Sequence, residues 1–257
     1  MSRFLIFIFT AVLAGCATQN IGKPIGGADI TPLRTKKIAV SYQFVHKRIN
    51  YSETLYRVFW LEYVNSTQDF GGIWPADKDM SELVAKRLRD QGFQADSIYV
   101  VAQPEKIVAE QKSLAAKVLQ HEMETKGKTA KPAGSQVILP EKLFEGPPSA
   151  PEYFSLADEL SGKGFGYLAE FTAVDLQGAA PGYGTVGVFS YPTLRIVDLR
   201  TNKVVWVQNV RHWDVAQLGG DLRKLEEDGM RRTKDGMRAS MSKLDFLAMW
   251  GFPEASK

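Results

Sequence analysis

LRIVDLRTNKVVW, residues 194–206, decides the fold class. Two apolar runs flank Arg200-Thr201-Asn202-Lys203, and Asn202 is suited to the positive φ of a tight turn. The stretch predicts a β-hairpin whose strands run from Val186 to Leu199 and from Val204 to Trp213. Pro192 has no N–H to donate, so it marks a bend or an unpaired edge position in the first strand.

Upstream of the hairpin, strand and helix periodicities alternate. Lys37 to Val45 has Ile38, Val40, Tyr42 and Phe44 on one side and Ala39, Ser41 and Gln43 on the other, the pattern of a half-buried strand. Residues 50–64 carry conflicting signals. Asn50 or Ser52 can cap a helix, whereas Tyr56, Val58, Phe59, Trp60 and Tyr63 favour strands; the segment is read as helix. Asp77 or Asp79 is expected to cap a helix with Met80, Leu83, Val84 and Leu88 on its apolar stripe and Gly92 just past its end. A second strand is expected over Phe93 to Val101. Pro104 then opens a helix in which Ile107, Val108, Gln111, Leu114, Ala115, Val118, Leu119 and Met123 form one stripe opposite charged residues. Residues 127–151, with five prolines and three glycines, read as an irregular excursion.

Phe154 to Leu160 predicts a short helix and Tyr167 to Leu176 a strand. Leu218 to Trp250 reads as one long, breakable helix, with acidic residues in its early turns and basic ones later, as the helix dipole favours. These elements make an α/β (α+β) protein: a single domain over residues 36–257 with a mixed β-sheet covered by helices, a late β-hairpin and a long C-terminal helix.

The N-terminus carries a different kind of information. Arg3, the apolar run Phe4 to Val12 and Leu13-Ala14-Gly15-Cys16 follow the order of a bacterial lipoprotein signal, with Leu13, Ala14 and Gly15 as the lipobox. Residues 1–15 are then a signal peptide and Cys16, the only cysteine, is the site of lipid attachment. Residues 16–35, rich in glycine and poor in large apolar side chains, read as a flexible tether. Ala17 in place of an aspartate points to the outer membrane. The expected location is the cell envelope, facing the periplasm.

Composition narrows the function. The formal charge of +3 over 257 residues leaves no footprint for nucleic acid. His46, His121 and His212 lie far apart in sequence, so no metal site and no cofactor is expected. Gly182-Tyr-Gly-Thr-Val-Gly187 has glycine spacing like that of dinucleotide loops, but strand residues follow it where a helix is required. Gly127-Lys128-Thr129 lacks the glycine five residues upstream that a phosphate loop needs. Neither a serine-elbow nor a cysteine-nucleophile arrangement is present. Glu170, Asp175, Asp198 or Asp214 could form a carboxylate pair for glycan hydrolysis, although carboxylates at strand ends more commonly cap turns or face solvent. The expectation is a protein that is not an enzyme. Trp74, between glycines and a helix, and Tyr183, at a glycine-rich turn, are the candidate partner contacts, although a Trp before a helix commonly packs beneath it.

The 194–206 hairpin, with Asp198, Thr201 and Trp206 as its fixed points, resembles the strand, D-x-x-T-G-x-x-x-W, strand hairpin of small periplasmic α/β lipoproteins. These include the curli-secretion channel lipoprotein, the penicillin-binding-protein activators and the N-terminal domain of the Tol-system propeller protein. Asn202 stands where they carry glycine, and the 127–151 excursion departs from their compact members. The resemblance implies an oligomer or a docking component of envelope machinery. The expected function is a lipid-anchored accessory or scaffold protein, held to the membrane through Cys16, that binds an envelope protein partner or itself. A periplasmic lipid or small-molecule binding module is the alternative, and a carboxylate-based envelope hydrolase a third.

Overall fold

The computed structural model describes residues 22–57, 60–125, 138–180, 187–210 and 227–253. The expected signal peptide, Cys16 and Tyr183 lie outside them. In chain order the elements are β1 (Lys23–Pro24), β2 (Lys37–Phe44), β3 (Arg48–Arg57), β4 (Trp60–Asp69), α1 (Ala76–Asp90), β5 (Ala95–Ser97), α2 (Ile98–Val101), α3 (Pro104–Thr125), α4 (Pro151–Gly162), β6 (Phe165–Ala173), β7 (Leu176–Ala180), β8 (Gly187–Phe189), β9 (Thr193–Asp198), β10 (Lys203–Asn209), α5 (Arg231–Ser242) and α6 (Phe246–Met249). The fold is α/β, with parallel and antiparallel pairings in two sheets.

The larger sheet has the order β1-β10-β9-β6-β2-β5. β2 pairs in parallel with both β5 and β6, and the 194–206 hairpin adds β9 antiparallel to β6 and β10 antiparallel to β9. Parallel strands need cover on both faces, and both are covered. Ile38, Val40, Tyr42 and Phe44 join Met80, Val84 and Leu88 of α1, Met237 and Met241 of α5 and Phe246 of α6 in one core. Ala39, Leu168 and Val197 join Ile107, Leu114 and Val118 of α3 and Leu156 and Leu160 of α4 in a second. The half-buried reading of β2 is therefore corrected. Ser41 and Gln43 are buried too, and the Gln43 amide donates to the Gln111 carbonyl at 2.7 Å.

β5 is too short to satisfy all of β2. Beyond its end, the Tyr42 N–H donates to Ser81 Oγ at 2.7 Å and the Phe44 N–H to Asp77 Oδ1 at 2.9 Å. Side chains of α1 thus replace the missing part of a strand. This changes the role expected of Asp77: it sits inside the first turn of α1, and Pro75 is the N-cap without a side-chain bond. Asp79 instead accepts the Trp74 indole N–H at 2.8 Å. Gly92, at φ +83°, ends the helix as expected.

The second sheet, in the order β4-β3-β7-β8, corrects the helical reading of residues 50–64. β3 and β4 form a ten-residue-per-strand antiparallel hairpin. The parallel β2/β6 ladder ends at Phe44 and Ala173 and resumes as β3/β7, from Ile49 opposite Leu176 to Glu53 opposite Ala180. The strand-favouring aromatic and branched residues prevail over the local cap signal because a distant strand supplies the pairing.

Other expectations shift by a few residues. The strand expected over Phe93 to Val101 is only Ala95–Ser97, where Ser97 caps α2. Tyr167 to Leu176 divides between two sheets as β6 and β7, and Val186 to Leu199 divides into β8 and β9 with Pro192 at the break. The C-terminal helix is not continuous over its described part: Gly229 and Met230 have φ of +60° and +64°, and α5 and α6 are separate. Residues 23–35, expected to be tether, pack instead, because β1 pairs with β10 and Leu33 is fully buried. Within 127–151 the described part is likewise pinned, by buried Leu139 and Phe144.

Ser81→Ala should lower stability by about 1–3 kcal/mol, because it leaves the Tyr42 N–H buried without a partner. Denaturant titration of the two proteins at one pH measures this loss.

Candidate functional site

The helical layer formed by α2, α3 and α4 positions the most unusual chemistry among the described residues. Glu170 on β6 and Arg195 on β9 are directly opposite in the antiparallel register. Both face the second core, and both are nearly inaccessible. The guanidinium grips Glu170 Oε2 with Nε at 2.7 Å and Nη2 at 2.5 Å. α3 adds a second carboxylate: Glu110 lies on the buried stripe of Ile107, Leu114 and Val118, with Oε1 3.8 Å from Arg195 Nη2. Its other oxygen, Oε2, is buried without a hydrogen-bond partner.

Two carboxylates thus share one cation out of water. Burial is the main cause that pushes the Glu110 carboxyl up to about 9, with the charge of Glu170 adding to it and Arg195 opposing it. Near neutral pH Glu110 therefore holds its proton beside the Glu170–Arg195 pair. Glu152, at the start of α4, also acts on Glu110 through its charge.

A second polar cluster lies where the two sheets bend into one another. Buried Asp175, between β6 and β7, accepts hydrogen bonds from the amides of Asn50 and Gln177 and lies 3.7 Å from Arg48 Nε. Burial pushes its carboxyl above the ordinary range, against the pull of Gln177, Arg48 and His46. His46 Nε2 meets Glu122 Oε2 at 3.1 Å and ties the C-terminal part of α3 to the same bend.

The carboxylates weighed for hydrolysis do not converge. Glu170 belongs to the Arg195 cluster and Asp175 to the bend. Asp198 caps the hairpin turn, accepting the N–H groups of Arg200 at 2.8 Å and Thr201 at 3.3 Å, while Asn202 takes a φ of +53°. Asp214 lies outside the described residues. No group of three or more His, Cys, Asp or Glu among the described residues could hold a metal ion. Trp74, a candidate contact, is corrected: it is 2% exposed and packs on Phe44 and Phe70 beneath α1.

Sequence reading did not single out Glu110 or Arg195. The signal was present as a charge within each apolar pattern: Glu110 on the helical stripe between Ile107 and Leu114, and Arg195 on the strand face it shares with Val197, opposite Leu194 and Ile196.

The outer side of the same helices also departs from expectation. The single stripe read along α3 is two stripes. Ile107, Leu114 and Val118 point inward, whereas Val108, Leu119 and Met123 are 48%, 38% and 70% exposed. Val100 of α2 and Phe154 of α4 are exposed as well. Five of the six exposed large apolar residues described therefore lie on this one layer; the sixth is Ile73. Around Val108 an open groove of about 720 Å³ is lined by Pro104, Glu105, Ala109, Lys112 and Ser113 of α3 and by Glu152 of α4.

No protein-family model matches the chain, and neither a curated protein nor a solved structure matches it significantly.

Because the carboxyl of Glu110 binds its proton more tightly in the folded chain, its contribution to stability is complete below its ordinary value of 4.5 and is lost as pH rises to about 9. Glu110→Gln should flatten the decline of stability across that window. Burial pushes Asp77 and Asp175 in the same direction, so part of the slope should remain. Denaturant titrations at several pH values compare the two slopes.

Proposed function

We propose that this chain is a lipid-anchored, non-enzymatic accessory protein of the bacterial cell envelope that binds a protein partner through the outer face of α2, α3 and α4. The lipobox ending at Cys16 supports the anchor. The observation that carries partner binding is the exposed apolar stripe of Val108, Leu119 and Met123 beside the Val108 groove. Large contiguous apolar exposure is uncommon on a free surface, and helix faces of this kind fit partner grooves through residues spaced by whole turns. Among the described residues no helix is long and apolar enough to cross a membrane.

A second reading has its own support. The four-stranded sheet ends on β4, a ten-residue strand with one side unpaired among the described residues, and on the short β8. An open edge of that length can take up a strand from another copy of the chain. The apolar groove also keeps a small-molecule or lipid ligand in view, since its volume lies within the roughly 300–1,000 Å³ of such sites. Native mass spectrometry of gently extracted protein separates these readings by the mass that accompanies the protomer.

Cys16→Ser should move the protein from the membrane to the soluble fraction and abolish incorporation of labelled palmitate; membrane retention or labelling that persists in the variant refutes the anchor. A photo-cross-linking residue at Met123 should capture one discrete protein in intact cells, whereas the same residue at exposed Asp235 on α5 should not. Met123→Glu should reduce the recovery of that partner at least severalfold without changing stability. Equal capture at both positions removes this face as the binding surface.

A further inference from the structure

We infer that the lipid anchor holds the β1–β10 edge of the six-stranded sheet against the bilayer, making that edge a contact surface for phospholipid headgroups. The inference rests on acylation of Cys16, proposed above. Its basis is the length of chain between the anchor and the first described residue.

That residue is Gly22. A Cβ there would lie 2.5 Å from Cζ2 and 2.8 Å from Cε2 of the Trp206 indole, and 2.7 Å from Gln208 Oε1, so only glycine lets the backbone pass this close. Trp206 is almost wholly buried, and its indole N–H donates to the same Gln208 oxygen at 3.2 Å. Immediately afterwards Lys23 pairs with Val207 and Pro24 with Trp206. The chain therefore leaves the body at a fixed point on the β10 edge.

Five residues, Ala17 to Ile21, separate Cys16 from Gly22. Whatever their conformation, six Cα-to-Cα steps span at most about 20 Å. The sheet is wider than this leash is long. Five interstrand spacings of about 4.8 Å put β5 some 24 Å from β1. A sheet standing on its β5 edge would thus need a longer leash than the chain supplies, while the β1–β10 edge stays within reach of the headgroups in every arrangement.

The chemistry of the edge fits an anionic, phosphate-rich surface. Lys23 and Lys203 are exposed on β1 and β10, and Lys142 is exposed in the short turn Glu141–Leu143 that packs against β10. The neighbouring carboxylates accept backbone N–H groups: Glu141 that of Asn209 at 2.8 Å, and Asp198 that of Arg200 at 2.8 Å in the hairpin turn. The arrangement leaves the α3 stripe and the β4 edge available to protein partners.

With Cys16 acylated, an introduced cysteine is the only free thiol. Full-length acylated protein carrying a fluorophore at Lys203→Cys, or at Lys23→Cys, and separately at Asp96→Cys beside β5, is reconstituted in phosphatidylethanolamine/phosphatidylglycerol vesicles with a headgroup-linked nitroxide quencher. Quenching should be severalfold stronger at the lysine positions than at Asp96, and a Gly/Ser insertion after Ala17 that doubles the leash should reduce it. Acylated protein with equal or reversed quenching, or with quenching unchanged by the insertion, overturns the edge-on arrangement while leaving the anchor intact. Protein shown by mass to carry no lipid overturns the anchor itself and this inference with it.

Discussion

The parallel ladder between β2 and β6 is the constraint on which the rest of the structure depends. It joins residues 37–44 to residues 165–173, then continues past a bend as β3 against β7. Strands so distant in sequence can pair in parallel only if intervening chain crosses a face of the sheet. Helices therefore cover both faces, and the two cores follow from that cover. The bend is equally consequential, because it directs two hairpins, β3–β4 and β7–β8, into a sheet of their own.

Parallel pairing also explains where polar groups are buried. A central strand carries backbone donors and acceptors on both sides, and a three-residue neighbour such as β5 leaves some unpaired. Ser81 and Asp77 complete them from α1. On the opposite face, α3 could have covered the sheet with apolar side chains alone, yet Glu110 descends onto the Glu170–Arg195 pair. Such clusters contribute little net stability when satisfied and cost much when one member is removed. The rotation of α3 puts Glu110 on the same inward stripe as Ile107, Leu114 and Val118. With that rotation set, Val108, Leu119 and Met123 have no place to go but outward.

Interior and surface are connected through this one helix. Its inward face satisfies the sheet, its outward face offers apolar side chains, and its C-terminal part reaches the bend through Glu122 and His46.

Much was legible in the sequence because it depended on local chemistry. The 194–206 hairpin, the positive φ at Asn202, the break at Pro192, the end of α1 at Gly92, the start of α3 at Pro104 and the presence, though not the full extent, of α4 all follow from turn residues and short-range periodicity. Residues 50–64 were misread, and residues 23–35 were taken for tether, because each is shaped by a distant partner, β7 in one case and β10 in the other. That a Trp before a helix packs beneath it was also legible, and Phe44 and Phe70 close over Trp74. The single stripe read on α3 is two because its inward face packs on strands and a helix far off in sequence. Local sequence determined which elements form. Only long-range strand pairing and the burial of apolar faces against distant elements decided how they face one another, since no short stretch of chain contains both partners of such a contact.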